Sequence, residues 1–352
     1  MLAEIICINL DAMIQIQQIT QQYGKNRKGK KMQSLDLGHH RIDFLKKFPR
    51  ELYKEFRKRK VLYLMMLPGI LCFLVFNYLP LSGIVVAFKS FNFKEGIFGS
   101  PWAGFENFKF FINSSSAWRA AKNTLLLNSS FILVHTTLQI SLALLISEIK
   151  NVRYKKISQS ITFLPFLISW IVISVFSYNL FNYEFGSINT FLKSIGYEPM
   201  NITNNPSIWP YLLIIIDSWK WVGFGIIIYL AALTGINQEY YEAATIDGAG
   251  KWMQIFYISI PLIMPTVTII TLLDIGRILS TDFGMFYGII GDNSALFSTT
   301  DVIDTYVYRS LRKLGDIGMA SAVGFLQSVV GFILVMISNL VVRRYQEDGA
   351  LF

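Results

Sequence analysis

The chain has 352 residues, of which 53% are hydrophobic and only 16% are charged, and its mean hydropathy is +0.44. This composition excludes an ordinary soluble multidomain protein and indicates a membrane protein. The formal net charge of +9 is concentrated at the start, since residues 1–60 hold 14 of the 32 Lys and Arg residues against six Asp and Glu residues. We interpret residues 1–60 as a basic cytoplasmic tail, partly disordered, that lies near anionic membrane lipids.

One motif in this tail resembles a nucleotide-binding P-loop. Residues 24–30 have the spacing of the two glycines and the lysine, but the next residue is Lys31 where a Ser or Thr must bind magnesium. No apolar strand precedes the motif. We therefore expect no nucleotide site in this chain.

Six apolar stretches follow, each about as long as the 20 residues that a helix needs to cross a membrane. They predict an all-α membrane protein with six transmembrane helices in residues 61–345. The predicted spans are 61–88, 124–149, 157–181, 208–233, 262–280 and 319–342.

The basic flanks of these spans predict their orientation, because Lys- and Arg-rich loops stay in the cytoplasm. The end of the tail at residues 57–60, the loop at 150–156 and the pair Arg343-Arg344 fall on one side if the spans number six. Both termini are then cytoplasmic. Residues 89–123, 182–207 and 281–318 are then outside.

Charged residues inside spans are costly and usually face a bundle interior or a cavity. Asp217 and Lys220 are three residues apart on the fourth span, and Asp274 and Arg277 have the same spacing on the fifth. Each pair can meet on one helix face, so an internal ion pair is the favoured interpretation. A place on the substrate path is the alternative.

A mixture of aromatic and polar side chains in the third and fourth spans suits a sugar, because rings stack on its apolar face and polar groups bind its hydroxyls. Aromatic belts and helix packing are the alternative for any one of them. The candidate substrate residues are Trp170, Ser174, Tyr178, Asn179, Asp217, Trp219, Lys220 and Trp221.

The connection 234–261 between the fourth and fifth spans predicts two short helices. Asn237 can cap the first, Gly248 permits a bend with positive φ, and the second, from Lys251 to Ile260, should stop where Pro261 opens the next span. The small side chains of Ala243 and Ala244 leave a nearly flat helix face that another protein can approach closely.

Glu242-Ala243-Ala244, Asp247-Gly248-Ala249 and Pro261 resemble the cytoplasmic loop of permeases in binding-protein-dependent ABC importers. Residues 63–69, 228–233 and 301–308 resemble the oligosaccharide branch of that family, which includes permeases for maltose and alginate. The resemblance covers roughly residues 60–345.

This resemblance implies the type I ABC importer permease fold in the inner membrane, and a coupling loop that docks on an ATPase. The ATPase-coupling residues would be Glu242, Ala243, Ala244, Asp247, Gly248 and Pro261. The implied partners, apart from the membrane lipids, are a second permease, two ATPase subunits, an extracellular solute-binding protein and a carbohydrate. The sugar branch generally pairs two different permeases, so a heterodimer is expected. ATP and Mg would bind at the ATPases, and the chain itself would bind no cofactor, metal or nucleic acid and catalyse no reaction.

Two alternatives to a sugar importer remain. An ion-gradient-driven secondary transporter would usually show inverted repeats and broken helices, and no matching halves are visible in the sequence. An ABC permease for another solute would keep the architecture and change the cargo. A membrane enzyme is disfavoured, because His39, His40 and His135 have no metal-binding spacing.

Overall fold

A computed structural model describes residues 60–345. The predicted basic tail therefore lies outside the described residues, except for Lys60. The chain divides at Leu79 into two compact units, of which the second, from Pro80 onward, holds the sites discussed below. Among the described residues the one β pairing is an isolated antiparallel bridge between Lys89 and Trp102.

Fifteen α-helices are found in the described part of the chain. The first eight are α1 Lys60–Phe73, α2 Gly96–Gly99, α3 Glu106–Asn113, α4 Ser115–Ser147, α5 Val152–Phe163, α6 Trp170–Phe181, α7 Ser187–Ser194 and α8 Trp209–Thr234. The others are α9 Gln238–Ile246, α10 Lys251–Gln254, α11 Ile260–Gly276, α12 Phe283–Ile290, α13 Phe297–Thr300, α14 Ile303–Leu314 and α15 Ile317–Tyr345.

Five helical stretches are long and apolar enough to cross a membrane: Lys60–Phe88, Ser115–Ser147, Trp209–Thr234, Lys251–Gly276 and Ile317–Arg344. A sixth crossing is made if α5 with its continuation to Leu167 and α6 are counted as one broken span. The predicted all-α architecture with six spans is confirmed on that count. The second span begins nine residues earlier than predicted, at Ser115.

Helix α8 is the central helix of the second unit. In its most apolar stretch 44% of the residues are buried, against 28% in the corresponding stretch of α4 and 11% in that of the last span. Two glycines permit this packing, because a Cβ added at Gly223 would lie 2.0 Å from the backbone oxygen of Thr162, and one at Gly225 would lie 2.0 Å from Cδ of Gln139. A buried cluster around Ile226 and Tyr229 joins α8 to the second and fifth spans.

The third span is interrupted in its middle. A 3-10 turn at Leu164–Leu167 ends the first half, and Ile168 and Ser169 are extended, with ψ angles of 130° and 151°. The chain bends by 90° before α6 begins. The hydroxyl of Ser169 accepts from the Val172 N–H at 3.5 Å and so starts the new helix.

The predicted stop at Pro261 is wrong, because the helical path runs unbroken from Lys251 to Gly276. A π-turn at Ile255–Ser259 precedes the proline, and the Ile260 N–H donates to the Ile255 carbonyl. A wider turn of this kind loosens the ordinary i to i−4 pattern just where proline has no N–H to donate. The same device, a π-turn at Leu74–Tyr78, precedes Pro80.

Candidate functional site

A cavity of about 350 Å³ lies among the second, fourth and fifth spans. Its polar wall includes an amide stripe on α4, the three carboxylates of the cavity, among them Asp282, and a guanidinium, and its apolar wall includes three aromatic rings. The polar residues include Asn128, His135, Gln139, Asp217, Asp274 and Arg277, and the rings are those of Phe131, Trp221 and Phe224. Such a surface suits a ligand with many hydroxyl groups.

Asp217 does not form the predicted ion pair with Lys220. Its Oδ2 atom lies 3.1 Å from Nε2 of His135 on α4, and both side chains are largely buried. The three-residue spacing on α8 is outweighed because each of the two charged groups finds a closer partner on another element. His135 stacks on Phe131 at a ring-centroid distance of 6.1 Å, which fixes the imidazole at the cavity wall.

Lys220 is buried and does not line the cavity. Its Nζ donates to the carbonyl of Phe166 at 3.0 Å and to that of Ile168. These carbonyls flank the break in the third span, where the helical pattern no longer supplies donors. The predicted substrate role of Lys220 thus has no support from its position.

Asp274 and Arg277 do not pair with each other in the part of the chain that the structure describes, although both line the cavity. The reason is that α11 ends at Gly276, so Arg277 has left the helix, with φ −107° and ψ 11°. Equal spacing along a helix brings two side chains together only while the helix continues. Both groups remain available to a ligand.

Irregular backbone between α11 and α12 forms one side of the cavity. Asn128 Nδ2 donates to the carbonyls of Ile278 and Ser280 at 2.7 and 3.0 Å, and Gln327 Nε2 donates to that of Leu279 at 2.6 Å. Non-helical backbone at membrane depth needs such partners. Our sequence reasoning missed these amides and His135, although Asn128, His135 and Gln139 share one stripe of an apolar helix.

The predicted substrate residues do not come together. Asp217 and Trp221 line the cavity, and Trp170 lies behind it, where its Nε1 donates to the carboxylate of Asp282. The other polar ones bond within α6: Ser174 to the Ile171 carbonyl at 2.7 Å and Asn179 to that of Val175 at 2.9 Å.

Two of the predicted aromatic residues lie on outer surfaces. Tyr178 is 58% exposed, and Trp219 is 51% exposed and lines a separate apolar cavity with residues of α6. Within the described residues no three His, Cys, Asp or Glu side chains converge as a metal site.

The predicted coupling loop forms the first of its two helices as expected. Oδ1 of Asn237 accepts from the Glu239 N–H at 3.1 Å and caps α9. Gly248 has φ +81°, as predicted. The Gly248 N–H donates to the Thr245 carbonyl at 3.1 Å and the Ala249 N–H to that of Ala244 at 2.8 Å, which is the bond pattern of a Schellman ending.

This loop is held firmly on its inner side and open on its outer side. Gln254 Nε2 donates to Oγ1 of Thr245 at 2.9 Å, and the hydroxyls of Tyr241 and Ser259 lie 2.9 Å apart. Lys251 reaches Glu148 at the end of α4 at 3.0 Å. Exposed on the other side are Glu242, Ala243, Ile246, Asp247 and Gly248.

The chain matches a family model described as the inner membrane component of binding-protein-dependent transport systems over residues 139–347. It is 34% identical to Protein LplB of Bacillus subtilis over 83% of this chain and 92% of that protein. It is also 34% identical to the polygalacturonan/rhamnogalacturonan transport system permease protein YteP of the same organism, over 88% and 95%.

A solved structure is similar throughout the fold. The crystal structure of a bacterial ABC transporter involved in the import of the acidic polysaccharide alginate superposes with a TM-score of 0.75 and 33% identity, over 84% of this chain and 99% of that one. A related structure of an alginate ABC transporter, in complex with a periplasmic protein that carries alginate pentasaccharide, gives a TM-score of 0.74. This chain therefore belongs to the family of inner membrane components of binding-protein-dependent transport systems.

Proposed function

We propose that this chain forms one half of the transmembrane pore of an ATP-driven importer for a carbohydrate, most simply an oligosaccharide. The cavity wall carries the argument. Its amides, carboxylates and guanidinium offer both donors and acceptors, and Trp221 supplies a ring for the apolar face of a sugar. The relatives named for polygalacturonan and for alginate support the same class of cargo.

The proposal includes the partners that complete such an importer. A second permease would close the pore, an extracellular binding protein would deliver the sugar, and two ATPase subunits would bind ATP and Mg. This chain would bind none of these cofactors. Its contact with an ATPase would be the exposed side of the loop 234–261, centred on Glu242, Ala243, Asp247 and Gly248. The half-buried Ala244 would lie at the edge of this contact, and Pro261 lies in the helix that leads from the loop to the cavity.

The experiment that tests the cargo uses the complete importer, purified with its own subunits and placed in liposomes. We expect ATP hydrolysis to be stimulated by the binding protein with mixed oligosaccharides, and not with amino acids or metal ions. Stimulation only by a solute that is not a sugar would overturn the carbohydrate assignment and leave the permease architecture intact. Sugar uptake into the liposomes that is driven by an ion gradient in the absence of ATP would instead favour a secondary transporter.

The cavity itself is tested by a matched pair of tryptophans. Trp221→Leu should lower sugar-stimulated transport about tenfold, the loss of one well-stacked ring contact. Trp219→Leu removes the same side chain two residues away, from the outer apolar surface, and should transport nearly normally. Equal losses in the two variants, or a larger loss at Trp219, would contradict a substrate path through this cavity.

The proposed topology places both termini in the cytoplasm. Single cysteines introduced at Ser115 and Asn204 should react with an impermeant thiol reagent added outside intact cells, whereas one at Ser158 should not. The reverse labelling would refute the orientation.

A further inference from the structure

The break in the third span exposes backbone carbonyls in an apolar setting. Ile168 and Ser169 are extended. The Pro165 and Ser169 carbonyls still accept from the Ile168 and Ile173 N–H groups at 3.1 Å, whereas those of Phe166 and Ile168 lie where the helical pattern is interrupted. In the hydrocarbon region of a membrane, each backbone carbonyl without a hydrogen-bond donor destabilises the structure by roughly several kcal/mol. A 90° bend of this kind therefore persists only if a neighbour supplies donors.

Lys220 is that neighbour. Its Nζ donates to the carbonyls of Phe166 and Ile168, one on each side of Leu167. The same nitrogen lies 5.8 Å from the ring centre of Phe166 and 5.2 Å from that of Trp170. Lys220 is 6% exposed and has no carboxylate oxygen within 4.0 Å among the described residues, so its hydrogen bonds go to the broken backbone.

The residues after the break connect it to the cavity. Trp170 is the first residue of α6, and its Nε1 donates to the carboxylate of Asp282. Asp282 lines the cavity and caps α12, since its Oδ1 accepts from the Gly284 N–H at 3.0 Å. Helices α6 and α12 pack closely here, because a Cβ added at Gly288 would lie 3.3 Å from Cβ of Ser174.

We propose that Lys220 is a positioning residue for transport: it holds the break in the third span, places Trp170 against Asp282, and so fixes one wall of the cavity without touching the cargo. This inference rests on the proposed function, because the wall matters only if the cavity is the path. It also gives a polar side chain inside an apolar span a role other than ion pairing or substrate binding.

The test measures sugar-stimulated ATP hydrolysis by the complete importer in liposomes for four variants. Lys220→Met keeps the length of the side chain and removes the donor, and Lys220→Arg keeps donors for both carbonyls. Trp170→Phe keeps an aromatic ring beside Lys220 and removes the indole N–H that reaches Asp282. The fourth variant combines Lys220→Met with Trp170→Phe.

We expect Lys220→Met and Trp170→Phe each to lower the stimulated rate about tenfold, as for the loss of one buried hydrogen bond to a charged group. The double variant should be no worse than the poorer single variant, because both act through one contact. Lys220→Arg should keep most of the rate. A Lys220→Met variant with a normal rate, or losses that multiply in the double variant, would overturn the proposal.

A second measurement does not depend on assembly or on the cargo. With Cys7 and Cys72 replaced by Ser, Ser174→Cys and Gly288→Cys should form a disulfide in isolated membranes, and Lys220→Met should abolish it while Lys220→Arg keeps it. An undiminished disulfide in Lys220→Met would overturn the positioning role even if that variant failed to assemble. Failure of every sugar to stimulate the wild-type importer would overturn the proposed function, and the disulfide result would still be decisive for the break.

Discussion

Substitution of Gly248 allows a specific prediction, because its backbone conformation disfavours any other residue while its surroundings leave room for a side chain. Its φ of +81° lies in the left-handed region, yet a Cβ added there would meet nothing within 4 Å. A substitution therefore costs backbone strain alone, about 1–2 kcal/mol for Ala. Gly250 is a matched control, since it too has open space around an added Cβ but an ordinary φ of −69°.

The strain should reduce the population of the observed turn, which orients the exposed side of α9. Since 1.4 kcal/mol corresponds to a factor of ten, about 1–2 kcal/mol should weaken ATPase association some five- to thirtyfold in Gly248→Ala. Gly248→Asn should lose less, because Asn tolerates the left-handed region better. Gly250→Ala should bind normally.

The assay is a titration of the purified ATPase subunit against the permeases in lipid nanodiscs, with the half-saturating concentration as the readout. If Gly248→Ala and Gly250→Ala bind the ATPase equally well, the left-handed turn has no part in coupling. The reasoning from Gly248 to the ATPase contact is then wrong.

Further expectations concern the loop and the packing of the spans. Glu242→Lys reverses a charge on the exposed side of the loop and should weaken ATPase association several-fold, whereas Glu106→Lys, also exposed but on a different helix, should not. Gly223→Ala should destabilise the purified protein by about 1–3 kcal/mol, because its Cβ would overlap a backbone oxygen, while Gly324→Ala, with nothing within 4 Å, should leave the thermal midpoint unchanged. Asn128→Leu leaves two carbonyls without their donor and should cost about 1–3 kcal/mol in the same thermal assay, so a variant as stable as wild type would contradict the role of this amide.

Local signals in the sequence predicted the local structure well. The apolar stretches located the spans, Asn237 caps α9, and Gly248 adopts a positive φ. Each of these features depends on a few consecutive residues. Their side chains, or the missing side chain of a glycine, decide the local backbone conformation. The same is true of the resemblance in the loop 234–261, which the family match confirms as far as family membership goes.

Partnerships between helices could not be predicted in the same way. The spacing of Asp217 and Lys220 places them on one face of α8, but only the packing of α4 and of the broken third span decides that each bonds elsewhere. The two extended residues at the 90° bend are Ile168 and Ser169, neither of which is a glycine or a proline. Pro165 was therefore the one nearby residue in the sequence that indicated a break. Pro261 led to the opposite error: the sequence predicted a break there, but the preceding π-turn accommodates the proline and the helix continues.

The unbroken helix from Lys251 to Gly276 connects the loop directly to the cavity. At a rise of 1.5 Å per residue, its 26 residues span about 39 Å, and Asp274 lies about 35 Å along it from Lys251. A tilt of about 5° around the loop end would therefore carry Asp274 roughly 3 Å sideways, comparable to the length of a hydrogen bond. A small displacement at the foot of this helix is thus enough to make or break contacts between the cavity wall and a bound solute.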